Sequence, residues 1–162
     1  MKKTFIVDAH LHLAMNAMEW NRDIRRPIHE IRERERGMKD KPDRGNNVVS
    51  LGELRNGNIG LVVATQIARY VAPENPLPGW HSPEQAWAHT QSQLAWYKQM
   101  EELGELTQVK NLSTLETHLK NWNDSTPDGN KPIGFILSLE GADSIVTLKH
   151  LVKTNDCGLR AL

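Results

Sequence analysis

Asp8, His10 and His12 stand two positions apart at the end of the short apolar run Phe5-Ile6-Val7, and their types suit a metal site. In an extended strand alternate side chains share a face, so the two imidazoles lie on one side, about 6–7 Å apart along the chain. Neutral imidazole nitrogens at that spacing can close on one divalent ion such as Zn2+. Asp8 shares the face and can orient a ring from behind or cap a loop. Glu140 ends a second apolar run, Ile133 to Leu139. A carboxylate can bridge two cations, one oxygen to each; ions ~3.5–4 Å apart then hold and acidify a water for attack on a carbonyl. Plainer roles stand beside these. A His-x-His pair can bond backbone or solvent, and a glutamate there can cap a helix or pair with an arginine.

Such ligands need strands whose ends meet. Apolar runs predict strands at Thr4 to about Leu13, Ile59 to Ile67 and Ile133 to Leu139, with another opening at Leu159 to Leu162. Helix signals lie between them. Ser50-Leu51-Gly52-Glu53 has the form of a capping box, with a stop at Asn56-Gly57. After a proline-rich loop over 71–83, Ser82-Pro83-Glu84-Gln85 opens a long helix that Gly104 ends, with Trp87, Thr90, Leu94 and Tyr97 on one face. Ser113-Thr114-Leu115-Glu116 predicts a further cap, and Leu115, Leu119 and Trp122 an apolar stripe. A turn-rich connection follows over 124–131. Asp143 or Ser144 is expected to cap a last helix carrying Ile145, Leu148, Leu151 and Val152. Alternating strands and helices predict an α/β fold with a parallel sheet, whose C-terminal strand ends gather the ligands on one face.

A complete (β/α)8 barrel typically takes ~250 residues and rarely fewer than ~200. The 162 residues here supply three or four strands. The expectation is one incomplete barrel domain over 1–162, the N-terminal part of something larger, with a charged insertion at about 14–50. Between Arg22 and Arg44 stand nine basic and six acidic residues. That composition suits a solvated helix laced with ion pairs, or a loop over a site.

With 20 basic and 20 acidic residues the formal net charge is zero, so no global field favours nucleic acid or an anionic membrane. No apolar run approaches membrane-spanning or signal-peptide length. The lone Cys157 allows no intrachain disulfide and points to a reducing, cytoplasmic setting; its plain reading is a small half-buried residue before a turn. His118 and His150 fall on helices as expected surface groups, and His29, His81 and His89 have no partner at ligand spacing.

Asp8-Ala9-His10-Leu11-His12-Leu13-Ala14, followed by Asn16-Ala17-Met18-Glu19-Trp20-Asn21-Arg22-Asp23, resembles the opening of the membrane dipeptidase (renal dipeptidase) family of the amidohydrolase superfamily. Ile136-Leu137-Ser138-Leu139-Glu140-Gly141-Ala142-Asp143-Ser144-Ile145 resembles that family's strand ending in a metal-bridging glutamate, and Leu159-Arg160-Ala161-Leu162 the start of its next strand. The resemblance implies a partial TIM barrel and a zinc-dependent dipeptidase with two ions in a complete member. His10 would be the first ligand and Glu140 the bridge, with a dipeptide or related amide cleaved by metal-bound hydroxide. His12 stands where the family has aspartate, as in wider amidohydrolases with His-x-His on the first strand. The family's other two histidine ligands and its catalytic aspartate find no match, so no catalytic residue is assigned within this chain and little activity is expected of it alone. Another amidohydrolase, a phosphoesterase or a non-catalytic remnant are the alternatives. An open barrel edge would favour self-association.

Overall fold

A computed structural model describes residues 4–123 and 131–162. The elements run β1 (Ile6–Leu11), α1 (Leu13–Met18), α2 (Ile28–Arg34), α3 (Leu51–Asn56), β2 (Ile59–Ile67) and α4 (Pro83–Glu102). They continue with β3 (Leu106–Gln108), α5 (Leu112–Trp122), β4 (Ile133–Glu140), α6 (Leu148–Asp156) and β5 (Leu159–Ala161). Every strand pairing is parallel. β4 is the hub: β2 lies along one side from Leu61↔Gly134 to Ile67↔Glu140. Its other side takes β3 at the start and β5 near the end. β1 is the outer neighbour of β2. The α/β class and the parallel sheet are as expected, and the described strands form an open sheet with β1 at one edge.

One face of the sheet is dry. Ile133, Phe135, Leu137 and Leu139 of β4 and Val62 and Ala64 of β2 pack with Leu94, Tyr97 and Met100 of α4. Tyr97 stacks on Phe135 with centroids 5.1 Å apart. α4 begins as predicted: Ser82 Oγ accepts from the Gln85 N–H at 3.2 Å, and Pro83 holds the first helical position. Gly104 follows the helix at φ +72°, a left-handed conformation that strains any residue with a Cβ. On the other face Thr65 and Ser138 pair in register, their hydroxyls 3.0 Å apart, one pleat below Glu140.

Several boundaries differ from expectation for local reasons. β1 ends at Leu11, and Leu13 opens a helix where the strand was expected to continue. α5 is capped by Asn111, not Ser113: Asn111 Oδ1 accepts from the Thr114 N–H at 2.9 Å, while Thr114 Oγ1 accepts from the Asn111 N–H at 3.1 Å. α6 starts after Thr147, not at Asp143 or Ser144. Asp143 Oδ1 is engaged by the Tyr70 N–H, and Ser144 is buried. β3 was not foreseen. His118 is a core group rather than a surface one, 5% exposed, with Nε2 2.7 Å from the Gly60 carbonyl oxygen. Burial lowers its pKa, against the opposing pull of that carbonyl. His150 is half-buried against the edge of Trp87. The connection expected over 124–131 lies outside the described residues but for Lys131.

The charged stretch is anchored rather than freely solvated. Glu35 is 4% exposed and Arg22 6%, and Glu35 sits between Arg22 and Arg44 at 2.7 and 2.8 Å. Arg26, just before α2, pairs with Glu30 of its first turn at 3.2 Å.

Candidate metal centre

The strand ends of β1, β2 and β4 meet on one side of the sheet. Between Asp8↔Val62 and Leu11↔Ala64 the β1 register slips, so three steps of β1 oppose two of β2. Such a bulge re-aims a side chain. Asp8 stabilises it from within: Oδ1 accepts from the His10 N–H at 3.0 Å, a local turn made by the carboxylate and the backbone two residues on. Asp8 thus bonds the His10 backbone; no hydrogen bond among the described residues joins it to either ring. His12 stands just past the strand at φ −88°, ψ 69°, as the N-cap of α1. Bulge and exit together, rather than strand alternation alone, turn the two rings toward each other.

The convergence is tight. His10 Nε2 and His12 Nε2 are 2.8 Å apart. Glu140 Oε2 lies 3.3 Å from the first and 3.1 Å from the second. Among the described residues these three are the group whose ligand atoms cluster this way, all within 4.8 Å of one another. Four ligands at 2.0–2.1 Å around tetrahedral Zn2+ lie about 3.3 Å from each other, so the triangle has nearly the size of one tetrahedral face. Glu140 Oε1 has no hydrogen bond among the described residues.

The protonation balance suits ligation. Burial lowers the pKa of His12 most strongly; Glu140 raises it and His10 lowers it, and the net shift is downward. His12 therefore keeps an open lone pair at neutral pH. Its Nδ1 is buried with no hydrogen-bond partner among the described residues. Nδ1 and Nε2 point apart across the ring, so this unpaired nitrogen lies outside the triangle that Nε2 makes with His10 and Glu140. These observations fit a divalent ion held by His10, His12 and Glu140.

Around the triangle lie groups that sequence reasoning missed. His89 does have a partner: its Nε2 is 2.9 Å from Glu19 Oε1, joining α4 to α1. The contact spans two distant helices, so no spacing rule could reveal it. Tyr97 Oη accepts from the Ala14 N–H at 3.3 Å, in the first turn after His12. Asn16 Nδ2 donates to the His12 carbonyl at 2.9 Å, and Arg22 Nη1 donates to Asn16 Oδ1 at 2.8 Å. A shallow cavity of about 330 Å3 borders His10 and Glu140 above Val63, Thr65 and Ser138.

No protein-family model matches the chain, and no curated protein matches it. Among solved structures it is similar to a dipeptidase AC, a metallopeptidase of family M19. The TM-score is 0.59 at 18% identity, over 98% of this chain and 42% of that one. Likeness at that identity shows the fold. The chain therefore has the α/β fold of part of a metallodipeptidase and spans less than half that protein's length. No helix among the described residues is long and apolar enough to cross a membrane.

Proposed function

We propose that this chain supplies the N-terminal ligand set of a zinc-dependent hydrolase that cleaves dipeptides or related small amides at the mouth of a (β/α)8 barrel. The observation that carries the reading is the triangle of His10 Nε2, His12 Nε2 and Glu140 Oε2, with edges of 2.8, 3.3 and 3.1 Å. The fold likeness to a metallodipeptidase supports the substrate class. Divalent ions held there would polarise a carbonyl and lower the pKa of a water. His10 and His12 would bind as neutral imidazoles and Glu140 through its carboxylate. Asp8 holds the His10 backbone in its bulge, and Asn16 and Tyr97 hold the backbone on either side of Leu13. No proton donor for a leaving amine is assigned among the described residues, so the chain by itself is expected to turn over dipeptides poorly.

Titration of the chain with Co2+ tests the ligand set. Visible d–d bands that saturate, and that vanish in His12→Ala and Glu140→Gln, are expected; no bands in the native chain would sink the reading. Robust metal-dependent dipeptide turnover by the 162-residue chain would instead overturn the half-site reading. His12, neutral where the resembled family has aspartate, favours a second reading as another amidohydrolase or a phosphoesterase. A panel of dipeptides, lactones and phosphoesters assayed on an intact relative separates the two. Self-association belongs to the proposal as well. Val7 of the edge strand is 51% exposed and Leu148 of α6 79%, and a strict monomer by light scattering at high concentration would remove that part.

A further inference from the structure

A second cavity, of about 510 Å3, opens at the tip of β2 beside the triangle. Its size falls within the range of small-ligand sites. Its floor is Ile67, Ala68 and Arg69, and Ile67 is the register partner of Glu140. One wall is Met15 of α1, the helix that His12 caps, and Glu19 at its C-cap. The opposite wall is Trp80 and His89. Trp80 is held there by backbone: its N–H donates to the Arg69 carbonyl at 2.8 Å, and the Val71 N–H donates to its carbonyl at 2.8 Å. Its indole lies 4.9 Å from the His89 ring.

The charges on this cavity do not balance internally. Glu19 is engaged by His89. Two cations remain, Arg69 and Lys41. Among the described residues the Arg69 guanidinium has no hydrogen bond or ion pair. The Lys41 ammonium lies 5.2 Å from the Trp20 ring centroid and acts on the neighbouring Asp40 carboxylate only through the field, with no hydrogen bond to a carboxylate. Elsewhere arginines are engaged: Arg22, Arg44 and Arg55 each bind a carboxylate. A cavity with an apolar wall of Met15 and Trp80, an uncommitted Arg69 and a Lys41 that no carboxylate hydrogen-bonds matches an aliphatic stem ending in a carboxylate.

We infer that this cavity is the subsite for an acidic side chain of the substrate, so that the hydrolase takes a dipeptide-like amide containing aspartate or glutamate. Arg69 and Lys41 receive the carboxylate, Trp80 packs on its stem, and the adjacent backbone lies toward Glu140. The inference rests on the hydrolase reading for the identity of the ligand, but not for the charge preference of the cavity.

The test is titration of the 15N-labelled chain with the dipeptides Ala-Glu and Ala-Gln, each with and without Zn2+, followed by NMR shifts. Ala-Glu is expected to bind about 5-fold tighter or more, the scale of one charge-assisted contact, and to move the Trp80 indole signal. The preference should shrink with added salt. It should disappear in the double variant Arg69→Gln/Lys41→Gln and persist in Arg69→Lys. Both positions lie on the cavity rim rather than in the core, and unchanged melting of the variants would establish that they fold. Equal affinities for the two peptides, no binding of either, or a preference unchanged in the double variant would overturn the inference. Loss of metal binding with the acidic preference intact would instead fell the hydrolase reading alone.

Discussion

Two groups of polar side chains lie close together in this molecule and are built on opposite logic. In the charged excursion after α1, Glu35 uses both oxygens. Oε1 accepts from Arg22 Nε at 2.7 Å and Arg44 Nη1 at 2.8 Å, and Oε2 from Arg22 Nη2 at 3.1 Å and the Gly45 N–H at 2.8 Å. The arginines also reach the carbonyls of Asp43 and Trp20. Each charge is answered within the chain. At the strand ends, two imidazole nitrogens face each other, a carboxylate oxygen serves both, and His12 Nδ1 is buried without a partner. The first group is closed on itself; in the second, two imidazole nitrogens and a carboxylate oxygen crowd together in an arrangement that fits a divalent ion. They are joined, since Arg22 holds Asn16, and Asn16 holds the His12 carbonyl.

The contrast breaks most visibly at Glu35. Glu35→Ala takes its carboxylate from the buried Arg22, which keeps only the Asn16 and Asp43 oxygens, while Arg44 keeps Asp40. The expected cost is about 3 kcal/mol, the lower end of the range for removing one partner of a buried pair. Urea denaturation measures it, and a loss below about 1 kcal/mol would show the network to be ornamental. Acid should produce the same loss without mutation. Burial raises the Glu35 pKa, but hydrogen bonds from Arg22, the Gly45 N–H and Arg44 outweigh it and hold the group down to about 2 rather than 4.5. A depressed carboxylate pKa contributes stability that is whole above the unfolded value and lost as pH falls through the folded one. The native chain should therefore lose this contribution between about pH 4.5 and about pH 2. Glu35→Gln should lack this part of the acid dependence; an unaltered profile would assign it to other carboxylates.

The triangle should answer in the reverse sense. His12→Ala removes a ligand and an orphaned nitrogen together. Metal affinity is expected to fall more than about 100-fold, beyond the range typical of outer partners, while the metal-free chain keeps its stability to within about 1 kcal/mol. Calorimetric titration with Zn2+ and thermal melting separate the two quantities. A large loss of stability in the metal-free variant would place His12 in the scaffold class and erase the contrast.

The sequence carried the two halves of this comparison unequally. β2, β4 and the start of α4 were legible because their signals are local: apolar runs buried on both faces, and Ser82-Pro83 at a helix start. His10, His12 and Glu140 were legible as candidates because strand ends of a parallel sheet share a side. Their actual convergence depends on a bulge at β1, which composition does not encode. β3 escaped notice because its three residues are too few to show a period. The anchoring of the charged segment was hidden for another reason: alternating Arg and Glu reads the same whether water or a tertiary partner answers the charges. His118 shows the same blindness, a polar residue on a helix whose partner is a backbone carbonyl from β2.

The finest cut falls at Tyr97, which belongs to the core yet touches the ligand segment. The N-cap of α1 is His12, whose side chain makes no cap hydrogen bond. One of the first amide groups of that helix is answered instead by Tyr97 Oη, which accepts from the Ala14 N–H. Burial pushes the Tyr97 phenol above its ordinary pKa, so it remains a neutral hydroxyl. Tyr97→Phe keeps the ring on Phe135 and deletes this acceptor alone. The expected cost is about 1 kcal/mol in stability, with a drop of about 10-fold in Zn2+ affinity, the lower end of the range for outer partners. The two readouts decide what the hydroxyl is for. If stability falls while metal affinity holds, Tyr97 is only a buried helix cap. If both fall, the cap positions His12, and the scaffold reaches the ligand set through α4 as well as through Arg22 and Asn16.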